Sequence, residues 1–210
     1  MSSPAATPPV VHPESHKDYE GSKLGMWLFL FTEILLFGGL FILYSAYRAR
    51  YPLEFHEAGQ HLNVVIGVAN TIILLTSSMT VAFSITAIQK GDRRRCLWCL
   101  LGTIILGAAF LANKYFEWSA EIGRGLYPNS PVLMQRPHGD QIFFGLYYSM
   151  TGLHGLHVIA GIIVLAFMLG FVARNKITSR DFNRLENGGL YWHLVDVIWI
   201  FLLPLFYLAA

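Results

Sequence analysis

Residues 141–173 read QIFFGLYYSMTGLHGLHVIAGIIVLAFMLGFVA, an unbroken apolar run without one Asp, Glu, Lys or Arg. A helix needs roughly 20 such residues to cross the hydrocarbon core of a bilayer. This run is longer, which predicts a helix that tilts or begins as an interfacial turn. Four more apolar stretches accompany it, at about 24–47, 64–88, 96–119 and 188–209. Lipid offers backbone N–H and C=O groups no partner, so each stretch must close its hydrogen bonds internally as a helix. The sequence therefore predicts an all-α integral membrane protein, a bundle of five transmembrane helices over 23–210 behind a polar tail at 1–22. That tail contains Pro, Ser and His but no apolar core, so no cleavable signal peptide is read there and the first run is expected to remain as an anchor.

Composition points the same way. Of 210 residues 54% are hydrophobic and 13% charged, with a mean hydropathy of +0.48. Soluble domains carry roughly a quarter charged residues, so this chain lacks the charge to cover a water-facing surface. A net charge of +2 is too small to suggest a nucleic-acid partner. Lys17, Lys23, Lys90, Arg93, Arg94, Arg95, Arg174, Lys176, Arg180 and Arg184 fall on one side of a five-span topology, and Arg48, Arg50, Arg124 and Arg136 on the other. The positive-inside rule then expects the N-terminus in the cytoplasm and the C-terminus outside.

Ionisable residues inside spans are costly unless paired or neutralised, which makes them the candidate site residues. Glu33 stands near mid-membrane in the first run with no other charge in its span. Two readings stay open for it: a structural hydrogen bond, or a carboxyl that holds and relays a proton. The third run carries Lys114 and Glu117 one turn apart, with Glu121 a turn further. They read as an ion pair near the outer interface, where Lys can snorkel. His154 and His157 in the fourth run read as neutral histidines satisfied across helices. His193 and Asp196 in the fifth read as an orienting hydrogen bond, with proton handling as the rival.

Depth makes one pairing specific. At 1.5 Å per residue Glu33 lies roughly 15 Å from the cytoplasmic edge, His157 roughly 22 Å, and His193 roughly 8 Å. Glu33 should therefore face the fourth and fifth helices, with His157 its first partner and His193 its second. Metal chemistry is the competing reading of these five side chains, because their types suit zinc or non-haem iron. Their spacing argues against it, since helical metal pairs are usually His-x-x-x-His or Glu-x-x-His, and no metal or other cofactor site is expected in this chain. Cys96 and Cys99 in C-L-W-C read as small residues at a helix end rather than a redox pair. Gly38, Gly39, Gly67, Gly102, Gly107, Gly152, Gly155 and Gly161 read as points of close helix approach. Tyr44, Tyr47, Tyr51, Tyr115 and Trp118 are placed in the outer aromatic belt, and Tyr191 and Trp192 in the inner one. Pro204 should loosen the last turn.

Three stretches together are recognisable. KLGMWLFLFTEILLFGGLF at 23–41, FFGLYYSMTGLHGLHVIAG at 143–161 and GGLYWHLVDVIWIFLLPLFY at 188–207 resemble, in that order, motif helices of the subunit III family of haem–copper oxidases. The resemblance covers about residues 23–208. It implies a subunit with no redox centre of its own, haem and copper residing in partner subunits I and II. It also implies a role in stabilising subunit I and supporting proton uptake during oxygen reduction, in a bacterial cytoplasmic membrane. The chain is similar to the five-helix form of the family. In the seven-helix form two additional helices leave a cleft holding phospholipids, so bound phospholipid here would need another subunit to complete that cleft. Many members place a Glu where this chain has Lys114, a departure that resembles quinol-oxidase and nitric-oxide-reductase-associated relatives as well as some bacterial cytochrome c oxidases, which leaves the electron donor open. A proton-coupled transporter and a membrane metalloenzyme are the readings from other classes.

Overall fold

The computed structural model describes residues 19–208. Seven α-helices are found there: α1 (Tyr19–Arg50), α2 (Pro52–Gly59), α3 (Val64–Gln89), α4 (Arg93–Gly123), α5 (Pro131–Met134), α6 (His138–Ala173) and α7 (Asn183–Leu203), the last running into a π-helical turn, Pro204–Leu208. Five of the helices, α1, α3, α4, α6 and α7 with its turn, are long and apolar enough to span a membrane. Most of the tail, Lys17 included, lies outside the described residues.

Helix ends run a few residues past the apolar runs because polar residues cap them. The side chain of Asn63 accepts from the backbone N–H of Val65 and Ile66, opening α3. Asp92 does the same for Arg95 at the start of α4. Between them Gly91 adopts φ +77°, a conformation that favours glycine, and so lets α3 turn tightly into α4. The short helices α2 and α5 escaped the apolar-run reading, since both are single polar-edged turns or two begun by a proline. α6 is continuous from His138, so the long fourth run does not begin as an interfacial turn; the turn preceding it is the separate α5.

α3, α4, α6 and α7 pack as a four-helix bundle, with α3 against α4 the most extensive contact, and α1 lies outside against α6 and α7. The buried residues of α4 recur as Cys96, Leu100, Thr103, Gly107, Phe110, Lys114, Glu117 and Glu121, and those of α3 as Gly67, Asn70, Leu74, Ser77, Val81, Ser84 and Ile88, with Ala87 beside the last. This alternation of three and four is the seven-residue repeat of left-handed helix packing. Small and polar residues occupy many of its positions, because in lipid helices associate through close packing and hydrogen bonds rather than hydrophobic exclusion. Trp192 of α7 is the central wedge. Its indole N–H donates to Ser77 Oγ at 2.9 Å, and its ring lies where a Cβ on Gly107 or Gly161 would sit, 2.7 Å away in each case. Gly67 is similarly closed by Leu203 and Tyr207, while a Cβ on Gly38, Gly39, Gly102 or Gly155 would meet nothing within 4 Å. Those four are not close-approach points. Nor do Tyr44 and Trp192 belong to an interfacial belt, since both are buried in the core.

Candidate functional site: polar groups within the bundle

α1 turns one stripe toward its neighbours, with Leu30, Phe37 and Tyr44 buried and Glu33 on the same line. Glu33 Oε2 lies 2.8 Å from Nε2 of His157 on α6, the partner favoured by depth. The other ring nitrogen of His157, Nδ1, is 2.8 Å from the backbone carbonyl of Leu153. A carbonyl oxygen only accepts, so Nδ1 carries a hydrogen. Nε2 then either accepts a proton held by Glu33 or offers its own to the carboxylate. Either way one proton lies between the two side chains. Phe37 packs edge-on against the imidazole at 5.4 Å, and the Tyr191 hydroxyl donates to the His157 carbonyl at 3.2 Å. The two side chains keep 14% and 15% of their surface exposed, so the pair is open to whatever lies beside α1.

The second cluster is closed. Lys114 Nζ donates to Glu117 Oε2 at 2.9 Å, to the Tyr147 hydroxyl at 3.0 Å and to the Tyr207 hydroxyl at 3.1 Å. An ammonium has three hydrogens, and all three are used. Tyr147 and Tyr207 in turn donate to Glu117 Oε1, at 3.1 and 2.5 Å. The rings of Tyr147, Trp199 and Tyr207 stand 4.9 to 5.8 Å from Nζ, close enough for cation–π attraction. Lys114 and Glu117 are only 7% and 4% exposed, so the lysine does not snorkel to an interface as its position near a helix end suggested. Its position in the seven-residue repeat of α4 points it inward instead. Glu121, a turn on, pairs with Arg124 at 2.9 Å.

The remaining candidates do not join one network. His154 is fully buried between Phe110 and Trp199, ring centroids 5.5 and 5.3 Å away, and neither ring nitrogen has a hydrogen-bond partner among the described residues. It faces α4 and α7 while His157 faces α1, because a spacing of three residues rotates the second side chain off the first. His193 does not hold Asp196. Its Nδ1 lies 2.5 Å from Ser78 Oγ of α3, and Ser78 stands beside the Asp196 carboxyl as well. Asp196 is 2% exposed, and neither of its oxygens makes a hydrogen bond of acceptable geometry among the described residues.

Comparison with known proteins accounts for these helices together. Residues 12–210 match the family described as cytochrome c oxidase subunit III. A cytochrome c oxidase subunit 3 from Thermostichus vulcanus is 33% identical over 209 residues, covering 96% of this chain and 92% of that protein. The chain belongs to the cytochrome c oxidase subunit III family. It is also similar to a cytochrome bo(3) ubiquinol oxidase subunit 3 from Pseudomonas putida, at 31% identity over 93% of this chain and 89% of the relative. A heme–copper oxidase subunit I+III from Aeropyrum pernix is 30% identical over 89% of this chain, which spans 22% of that longer polypeptide.

As a subunit III of haem–copper oxidases and a multi-pass membrane protein, the chain keeps its ionisable groups at separate points of the bundle. Among the described residues no three His, Cys, Asp or Glu side chains converge on a point that could hold a metal ion. Cys96 is buried and Cys99 half-buried, both as free thiols. Sequence reasoning missed Tyr147, Tyr207 and Ser78. Tyr147 stands seven residues before His154, on the same face of α6, and that phase was available in the sequence. Tyr207 had no such signal, because the π-helical turn after Pro204 changes the phase of everything beyond it.

Proposed function

We propose that this chain is the non-catalytic subunit III of a proton-pumping haem–copper terminal oxidase in a bacterial cytoplasmic membrane, and that it supports proton uptake through Glu33 and His157. The carrying observation is the 2.8 Å contact between Glu33 Oε2 and His157 Nε2, with His157 Nδ1 turned to the Leu153 carbonyl. The Lys114 cluster has every donor engaged and so suits a structural lock, whereas the Glu33 pair is partly open and holds a proton that can leave and be replaced. Glu33 follows the start of α1 by about 21 Å at 1.5 Å per residue, near the middle of the 32-residue helix, and in this reading it takes its proton from the edge at which α1 begins. The excess of Lys and Arg puts that edge in the cytoplasm, with residues 1–22 as a cytoplasmic tail ahead of the membrane domain 23–210.

In this reading haem and copper reside in subunits I and II, subunit I is the main contact, and phospholipid fills the remaining apolar surface. The fused relative of Aeropyrum pernix supports contact with subunit I, since its name joins subunits I and III in one polypeptide. The same role in a quinol oxidase is the second reading, favoured by the Pseudomonas putida relative; turnover of the purified complex with reduced cytochrome c or with a quinol decides between them. The proton role is tested with Glu33→Gln. The amide can still donate to His157 but has no proton to transfer, so the complex should assemble normally, begin oxygen reduction normally and lose sustained turnover several-fold. Unaltered sustained turnover in the assembled variant overturns the proton role and leaves the pair structural.

A further inference from the structure

The turn from α3 into α4 carries Lys90 and the first turn of α4 carries Arg93, Arg94 and Arg95, and the structure divides these four cations by task. Arg93 donates from Nε to the Val172 carbonyl at 3.0 Å and from Nη2 to that of Ala173, satisfying acceptors left open at the end of α6. Arg95 pairs with Asp92 at 2.9 Å. Lys90 and Arg94 have no ion-pair partner among the described residues.

Those two free cations stand at the mouths of two different grooves. The first, of about 610 Å³, runs between α3 and α4, with Phe83, Ala87, Trp98 and Cys99 along it and Lys90 at its edge beside the Arg95–Asp92 pair. The second, of about 360 Å³, runs between α4 and α6 over Leu97, Leu101 and Leu169, with Arg94 at its edge. Trp98 is the wall they share. It is 71% exposed, one turn inside the start of α4, where an amphipathic indole suits the level of lipid headgroups. Each groove thus offers a cation at headgroup height and an apolar channel leading from it toward the membrane interior.

We propose that this corner binds anionic phospholipid, a phosphate-bearing headgroup on Lys90 or Arg94 and an acyl chain in the groove beneath, with Trp98 separating two such sites. Basic pockets between transmembrane helices recognise phosphate headgroups by charge, while the acyl chain contributes contact area. A zwitterionic lipid presents the same chains but a headgroup whose choline or ethanolamine opposes the cations, so selectivity rests on the two unpaired side chains. The inference refines the reading that phospholipid covers apolar surface, and it does not depend on the proton role of Glu33.

The test uses the full chain within its purified complex in mild detergent, exchanged with equimolar phosphatidylglycerol and phosphatidylcholine and weighed by native mass spectrometry. The expected result is preferential retention of phosphatidylglycerol, reduced at least five-fold in Lys90→Gln/Arg94→Gln with phosphatidylcholine retention unchanged. Equal retention of the two lipids by the unaltered complex overturns the anionic site while leaving general lipid contact intact, and needs no variant to fold. An undiminished preference in the double variant overturns the assignment to Lys90 and Arg94.

Discussion

The hydroxyl of Tyr207 lies 2.5 Å from Oε1 of Glu117, tying the last described turn of the chain to the last two turns of α4. Tyr207 reaches that point because Pro204 has no N–H to continue the α-helical ladder and the chain widens into a π-helical turn. The bond closes the cage of Lys114, and a cage without vacancies has a recognisable energetic signature.

Removing one member of a buried, fully bonded ion pair strands the other. Lys114→Met or Glu117→Gln alone should lower stability by about 3–5 kcal/mol, and the double substitution by clearly less than the sum. Tyr207→Phe, which removes one donor and one acceptor, should cost about 1–3 kcal/mol. Unfolding of the purified chain by titration with denaturing detergent measures all four. Strict additivity of Lys114→Met and Glu117→Gln would show that the pair is not coupled.

Gly107 and Gly161 hold the indole of Trp192 from two sides. Gly107→Ala and Gly161→Ala should each destabilise by about 1–3 kcal/mol through overpacking, and Trp192→Phe should relieve part of the damage. Gly102→Ala, on the same helix as Gly107 but facing open space, should be neutral or slightly stabilising in the same titration. Equal effects at positions 102 and 107 would contradict the wedge.

His61 joins the loop ahead of α3 to Arg136, whose Nη1 donates to its Nε2 at 3.0 Å. A guanidinium only donates, so the contact requires the unprotonated nitrogen. Burial and then the nearby Arg136 charge lower the His61 pKa below its ordinary 6.5. A lowered folded-state value means that the unfolded chain takes up protons first as pH falls. The contribution of His61 is therefore full above about pH 6.5 and declines below it. Protection of the loop amides from Gln60 to Asn63, taken relative to their intrinsic exchange rates, should fall between pH 7.5 and 5.5, and His61→Gln should flatten that response. An unchanged pH response in His61→Gln would assign it to another group.

The Arg93 side chain seals the end of α6, while Arg124 sits on the opposite side of the bundle at the end of α4. Replacing Arg93, Arg94 and Arg95 by Glu should therefore impair insertion and assembly more than replacing Arg124 and Arg136, both by reducing the charge bias and by uncapping α6. Membrane yield and cysteine accessibility at each loop read the difference. Equal tolerance of the two sets would remove the topological weight given to that loop.

The five spans were legible because hydrocarbon leaves a backbone so few options that length and apolarity suffice. The Glu33–His157 contact was legible for a related reason, since helix rise converts residue number into depth. The inward aim of Lys114 was legible in principle: counting fours and threes from Cys96 puts it on the buried line, but proximity to the helix end drew attention to snorkelling instead. The separation of His193 from Asp196 was not legible, because Ser78, which comes between them, belongs to α3, and no local pattern marks a serine on another helix. Tyr207 stayed hidden behind a change of helical phase that only the folded chain displays.

The partners Glu33 and His157 are 124 residues apart. At ribosomal speeds of about 5–20 residues per second, that separation is roughly 6 to 25 s of synthesis. During that interval α1 is already made while α6 is still emerging. Until then Glu33 lacks His157, and an unpartnered ionisable group in lipid is costly. The first helix therefore keeps its carboxyl unsatisfied until α6 docks beside it, which makes that docking a late step of the chain's own synthesis.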